Sequence, residues 1–207
     1  MQQTKSQVRA RILAARRAST PASRATDAAA LTRHLLARIA PGATVCAYVP
    51  VGTEPGSPDL LDELVRRDVA VLLPVARADP VAGPQPLRWG RYRPETLVAA
   101  PFGLREPPPP HLPPETMADA AVALVPALAV DLRGARLGRG AGFYDRTLHL
   151  ASPAAALIAV VRDEELVDEL PADPHDVPMT HAVTPRRGVV ELGRGKECQE
   201  PAGGSST

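Results

Sequence analysis

Between Gly134 and Leu148 the chain reads GARLGRGAGFYDRTL. Gly138, Gly140 and Gly142 alternate, Arg136 and Arg139 flank them, and Phe143, Tyr144 and Asp145 follow directly. The chain holds one Trp, three Tyr and two Phe, so two scarce aromatics stand side by side here. A glycine-rich backbone can turn its N–H groups inward, and the arginines add positive charge. A helix opening just after the loop would add its dipole, and together these make an anion site. Asp145 is placed to offer Mg²⁺ an oxygen ligand beside bound phosphates. The alternative is a mobile surface loop with a helix cap. A Rossmann fingerprint needs G-x-G-x-x-G tight against a strand, and a P-loop needs Gly-Lys-Ser/Thr; neither is present.

Other residues are candidates by type and position. Of 24 basic residues only Lys5 and Lys196 are lysines. A lysine offers a phosphate a compact point charge that a planar guanidinium cannot. Lys5 and Arg9 are four apart and share one helix face, either as a second cationic jaw or as a solvated surface. Glu54 follows a strand in a Pro/Gly loop, where it is either a partner for a polar heterocycle or surface. His175 and Asp176 lie between prolines; Asp176 is a further oxygen for magnesium. Asp163, Glu164 and Glu165 read as a charged helix start, and Trp89 and Tyr92 as core or rim.

These residues need elements to position them. Thr4 is a plausible N-cap for a helix over residues 4 to 17, and a second helix runs from about Ala22 to Ile39, ended by Pro41-Gly42. TVCAYVP, AVLLPV, LRWGRY, ADAAVALVPALAV and ALIAVV read as strands. A helix from Pro58 to Arg67 has Ser57 as its cap. EPPPPHLPPE reads as an extended connector in which no helix forms. The glycine loop is followed by a helix through Leu150, and LPADPHDVPMTHAVTP is a loop before a last short strand. Alternation of helices with short apolar runs gives an α/β fold: one three-layer domain over residues 1 to 190, its mostly parallel central sheet flanked by helices. Residues 191 to 207 read as a disordered tail. Ligands of such sheets sit beyond the carboxyl ends of the strands, where Glu54, Glu106, the glycine loop and His175-Asp176 would converge.

Composition narrows the function class. The net charge of +1 gives no reason to expect a nucleic-acid or membrane partner and suits a small-molecule enzyme. No apolar run approaches a membrane span, and the N-terminus lacks the apolar block of a secretory signal. Cys46 and Cys198 suggest neither a disulfide framework nor a zinc site. The expectation is a cytoplasmic monomer.

Five motifs, in order, resemble one family. KSQVR matches an N-terminal Lys-x-x-x-Arg helix, VPVGTEPGSPDLL a strand–loop–helix with Glu, and FGLREP a Phe-Gly-x-x-Glu-Pro element. VPALAVDLRGARLGRGAGFYDRTL matches a long signature centred on Arg-Leu-Gly-x-Gly-x-Gly-aromatic-Tyr-Asp, and LPADPHD a Leu-Pro…His/Asn-Asp segment. Over roughly residues 4 to 190 the chain resembles the 5-formyltetrahydrofolate cyclo-ligase (5,10-methenyltetrahydrofolate synthetase) family. The resemblance implies an ATP- and Mg²⁺-dependent ring closure of 5-formyltetrahydrofolate to 5,10-methenyltetrahydrofolate, with ADP and phosphate released through a phosphorylated formyl (imidate) intermediate. By matching position it implies an ATP site of Lys5, Arg9, Arg136, Leu137, Gly138, Arg139, Gly140, Ala141, Gly142, Phe143 and Tyr144. Lys5, Arg136, Arg139 and Tyr144 would act in catalysis, and Asp145 and Asp176 would hold magnesium. Val49, Glu54, Arg139, Gly140, Ala141, Gly142 and Phe143 would contact the folate.

The sequence departs from the family pattern in four places. Ala141 stands for a common glycine, Phe143 for a frequent Tyr, EPGS for Glu-Val-Asp-Thr, and His181 for a common acid. Two other function classes stay open: an inactive nucleotide- or folate-binding paralogue serving regulation or interaction, and a sugar-phosphate or CoA-type enzyme of related architecture.

Overall fold

The computed structural model describes residues 4–171 and 176–193. Seven strands form the central sheet, in the spatial order Gly188–Glu191, His181–Thr184, Ala156–Val160, Val122–Pro126, Thr44–Cys46, Ala70–Val75, Arg88–Arg91. Strands two to six of that row are parallel, and each outermost strand is antiparallel to its neighbour. This is the expected α/β class, with a mostly parallel sheet.

Side chains alternate across the sheet as the strand period of two requires. Val71, Leu73, Val122, Leu124, Ile158 and Val160 point to one face, where they pack against Leu31, Leu35, Leu60, Leu61 and Leu64. Those leucines belong to helices α2 (Pro21–Arg38) and α3 (Asp59–Arg66). Leu72, Ala123, Val125, Leu157 and Ala159 point to the other face, against Trp89, Met117 and Leu148. That face is covered by the 3₁₀ turns Pro114–Asp119 and Leu148–Leu150, which carry Met117 and Leu148. Trp89 is a core residue, 1% exposed, and Tyr92 is buried with its hydroxyl donating to Asp62 Oδ1 at 2.6 Å.

Helix α1 (Lys5–Ala18) starts where the Thr4 cap predicts, with a reciprocal bond between Thr4 and Gln7. The Ser57 hydroxyl accepts from the Asp59 N–H at the start of α3, although Pro58 lies just outside the helix rather than at its first position. The Pro-rich connector departs from expectation at its end. The turn over Pro114–Asp119 begins inside EPPPPHLPPE, because Pro at the first position of a helical turn gives up no needed N–H. Cys46 is buried, and burial pushes its thiol up to about 12. The anticipated disordered tail does not begin at residue 191: Glu191 ends the strand Gly188–Glu191, and Leu192 is buried with its N–H donating to the Thr180 carbonyl. Cys198 and the rest of that tail, from residue 194 onward, lie outside the described residues. Among the described residues no helix is long and apolar enough to cross a membrane.

Glu106 does not take up the ligand-facing position anticipated for it. Its carboxylate is 2% exposed and is committed to the Ala76 N–H at 2.8 Å and to Arg77 Nη1 at 2.8 Å. It therefore braces the chain as it leaves the Ala70–Val75 strand. Glu106→Ala would strand a buried N–H, costing about 1–3 kcal/mol. Urea unfolding reads this as a lower midpoint; an unchanged midpoint contradicts the bracing role.

Candidate active site

Three neighbouring parallel strands open at their carboxyl ends into a cavity of about 540 Å³. Tyr48 and Val49 line it from beyond Thr44–Cys46, Ala76 from beyond Ala70–Val75, and Ala127 and Leu128 from beyond Val122–Pro126. The chain leaves Thr44–Cys46 for a strand on one side and returns later on the other. The crevice thus lies at a switch in strand order, the usual ligand position of such sheets.

The glycine loop forms one wall. Strands Ala129–Asp131 and Arg136–Leu137 make an antiparallel stem, with Leu166–Val167 alongside. Buried Asp131 holds the stem's turn by accepting from the N–H groups of Arg133 and Ala135 at 2.9 Å and of Leu170 at 3.0 Å. At the far end buried Thr147 donates to the Phe143 carbonyl at 2.7 Å and accepts from the Leu87 N–H at 2.9 Å. Both ends are pinned while Gly138 to Asp145 face the cavity.

The expected helix after the loop is absent. Residues 143–147 are turns leading only to the 3₁₀ segment Leu148–Leu150. The Thr147 hydroxyl occupies the carbonyl four residues back and competes with a helical ladder. A helix dipole therefore contributes nothing here, and an anion would be met by backbone N–H groups and arginines.

Arg136 is the best placed of these cations. Its side chain is 8% exposed, reaches Asp145 Oδ1 at 2.5 Å and lies 5.8 Å from the centre of the Tyr144 ring. That is within range of a cation–π contact. Arg136 Nε and the Tyr144 hydroxyl are both buried with no hydrogen-bond partner. Burial, helped by the Glu54 charge, pushes the Tyr144 phenol well above its ordinary value, so it stays neutral and able to donate. Across the mouth Glu54 Oε1 meets Arg139 Nε at 3.1 Å, while Glu54 Oε2 accepts from the Val51 N–H at 2.9 Å. The Tyr48 hydroxyl donates to the Pro55 carbonyl at 2.5 Å and pins the loop that carries Glu54.

Of the candidates named from the sequence, Val49, Glu54, Arg136, Gly138, Arg139, Gly140, Ala141, Gly142, Phe143, Tyr144 and Asp145 line this cavity. Lys5, Arg9, Leu137 and Asp176 do not. Leu137 is a core side chain, 1% exposed, packed with Val8 and Ile12. Arg9 Nε donates to the Gly138 carbonyl at 2.9 Å, so it braces the loop from outside. Lys5 Nζ lies 3.6 Å from Asp176 Oδ2. His175 lies outside the described residues. Sequence reasoning missed Tyr48, whose mark is an aromatic at a strand's carboxyl end. It also missed Arg16, whose only mark is its place on the stripe of Val8 and Ile12.

Backbone geometry explains the alternate glycines. Gly140 and Gly142 have φ of 96° and 77°, in the left-handed region, whereas Ala141 is absent from the positive-φ residues. At Gly138 a Cβ would come within 2.7 Å of Arg136 Nη1. The Ala141 methyl is thus tolerated. Ala141→Gly should leave the affinity for a ligand of the loop within about twofold. Gly140→Ala should weaken binding, because left-handed backbone costs an L-residue roughly 1–2 kcal/mol. Steady-state kinetics on both variants checks this; equal effects would contradict it.

The 5-formyltetrahydrofolate cyclo-ligase family model matches residues 1–185. The chain belongs to the 5-formyltetrahydrofolate cyclo-ligase family. The cyclo-ligase of Mycolicibacterium smegmatis is 62% identical over 189 residues, covering 91% of this chain and 97% of that protein. The Escherichia coli cyclo-ligase is 30% identical over 146 residues, covering 70% and 79%. The NMR structure of the Aquifex aeolicus 5,10-methenyltetrahydrofolate synthetase superposes with a TM-score of 0.74 at 26% identity, covering 96% of this chain and 97% of that one. The Mycoplasma pneumoniae synthetase superposes at 0.66 with 20% identity, covering 86% and 96%, which shows the fold.

Against that family the cavity's donor set can be tested for magnesium. Among the described residues no group of three or more His, Cys, Asp or Glu side chains forms a metal cage. Magnesium does not need one: it keeps several waters and commonly takes one or two carboxylates together with phosphate oxygens. Asp145, half-exposed on the cavity wall beside Arg136, fits that role.

Proposed function

We infer that this chain is a 5-formyltetrahydrofolate cyclo-ligase, closing 5-formyltetrahydrofolate to 5,10-methenyltetrahydrofolate at the expense of ATP. Family membership supports the activity. The observation that carries the site is the pair of orphaned buried donors, Arg136 Nε and the Tyr144 hydroxyl, behind a glycine loop at the sheet's switch point. Buried polar groups without partners are costly, so a site that keeps two is built for a ligand that satisfies them.

The chemistry divides among the residues. The N5-formyl oxygen attacks the γ-phosphorus of ATP, and ADP leaves. N10 then attacks the formyl carbon and gives up its proton, the carbon–oxygen bond breaks, and phosphate departs carrying that proton as the ring closes. Phosphoryl transfer depends on positioning and charge neutralisation. N–H groups of Gly138 to Gly142 and the guanidinium of Arg136 would receive the phosphates. Tyr144 would donate to an oxygen gaining charge, and Phe143 would wall the flat pterin. Glu54 would accept from the pterin, releasing Arg139 to the phosphates. Magnesium, when bound, would neutralise phosphate charge, with Asp145 as a protein ligand and Asp176 as a second carboxylate approaching with Lys5. Arg9 would act by holding the loop.

The test is phosphate release from ATP with and without 5-formyltetrahydrofolate. Release only when both are present supports the reading; ATP hydrolysis indifferent to the folate contradicts it.

A further inference from the structure

Helix α1 is held by little apolar surface. Its buried hydrophobic residues are Val8 and Ile12, packed on Leu128, Ala129, Leu137 and Leu170. Its third buried side chain is Arg16, 1% exposed, which also lines the cavity. Arg16 Nε donates to Glu165 Oε1 at 2.6 Å, and Nη2 donates to Glu165 Oε2 at 2.8 Å and to the Ala127 carbonyl at 2.7 Å. Glu165 Oε2 further accepts from the Arg162 N–H at 2.8 Å. The anticipated charged helix start thus contains the buried partner of an N-terminal arginine.

Such a pair is poor at stabilising a fold, since apolar residues of similar volume often do as well. Its distinctive property is direction. Apolar contacts leave a helix free to slide and turn, whereas a bidentate guanidinium fixes both distance and angle. Residues 5, 9, 12 and 16 follow helical spacing along one side of α1. Arg9 is tied to the Gly138 carbonyl, and Arg16 to Ala127 at the cavity floor. Two directional ties, about two turns apart, fix the axial position and rotation of α1.

We propose that the Arg16–Glu165 pair is a positioning device: it locks α1 to the sheet's carboxyl end at Ala127 and so sets where Arg9 stands against the glycine loop that receives the nucleotide's phosphates, and where Lys5 stands beside Asp176. This rests on the nucleotide site proposed above. The pair does not touch the reacting atoms and acts through α1.

The experiment compares wild type, Arg16→Lys and the double variant Arg16→Met/Glu165→Gln, which removes both charges together and keeps an acceptor for the Arg162 N–H. Calorimetric titration gives the Kd for magnesium–ATP and for 5-formyltetrahydrofolate separately, and hydrogen exchange follows the amides of α1. In the folded double variant the nucleotide Kd rises about tenfold or more while the folate Kd moves less than about twofold. The α1 amides exchange faster and those of the sheet do not. Lys keeps the charge, but its donors radiate from a single nitrogen and do not reproduce the planar Nε/Nη2 fork that meets Glu165 and Ala127, so Arg16→Lys falls between. Wild-type nucleotide affinity in either variant, or equal weakening for both ligands, overturns the proposal. If the double variant does not fold, Arg16→Lys alone decides, by the same split in affinities. Absence of nucleotide binding to the wild-type protein would instead overturn the nucleotide site itself.

Discussion

Asp145→Asn lowers kcat by about 10²–10³-fold while the urea midpoint stays within experimental scatter. Asp145 lies on the cavity wall with its side chain 51% exposed, so the fold gains little from its charge. The amide still accepts a hydrogen bond from Arg136 but gives magnesium a neutral oxygen in place of an anionic one. The loss should therefore be concentrated in turnover, with the magnesium concentration for half-maximal rate raised. Kinetics as a function of free magnesium make the measurement. A variant with normal turnover and unaltered magnesium dependence would remove Asp145 from the metal site.

Arg136→Lys has the second large effect, a drop in kcat/KM of about 10³-fold, the lower end for an arginine that stabilises a transferring phosphoryl group. The substitution keeps the charge, so a merely electrostatic role would leave much of the activity. What it removes is the planar fork. One arm reaches Asp145, the guanidinium lies over Tyr144, and the buried Nε has no hydrogen-bond partner in the protein. A lysine ammonium cannot hold all three relations at once. Steady-state rates with ATP varied and then with folate varied locate the loss. A variant that keeps wild-type kcat and shows only a raised folate KM would contradict the phosphoryl role.

The place of these two residues on the cavity wall was legible in the sequence because their signal is local. Alternate glycines, flanking arginines and a following aspartate mark a candidate anion loop before anything is known of the fold. The central sheet was legible for a similar reason: Ala70–Val75 and Val122–Pro126 are continuous apolar runs of strand length, as strands buried on both faces require. The missing helix after the loop was not legible. It turns on Thr147, whose hydroxyl is captured by Phe143 and by Leu87, the latter 60 residues away in sequence. Glu106 misled for the same reason, since a carboxylate after a strand can face a ligand or the chain's own N–H groups. Arg16 and Glu165 are 149 residues apart, and each reads as ordinary surface charge until the fold buries them together. Local composition reports chemistry well, while pairings distant in sequence are set by tertiary packing alone.

The most direct measurement is the near-ultraviolet absorbance of 5,10-methenyltetrahydrofolate, followed together with phosphate release, in the purified protein given 5-formyltetrahydrofolate, magnesium and ATP. The methenyl band is expected to grow only when ATP is present, with one phosphate released per product formed. Methenyl product appearing without ATP, or ATP binding with no methenyl product at all, would contradict it.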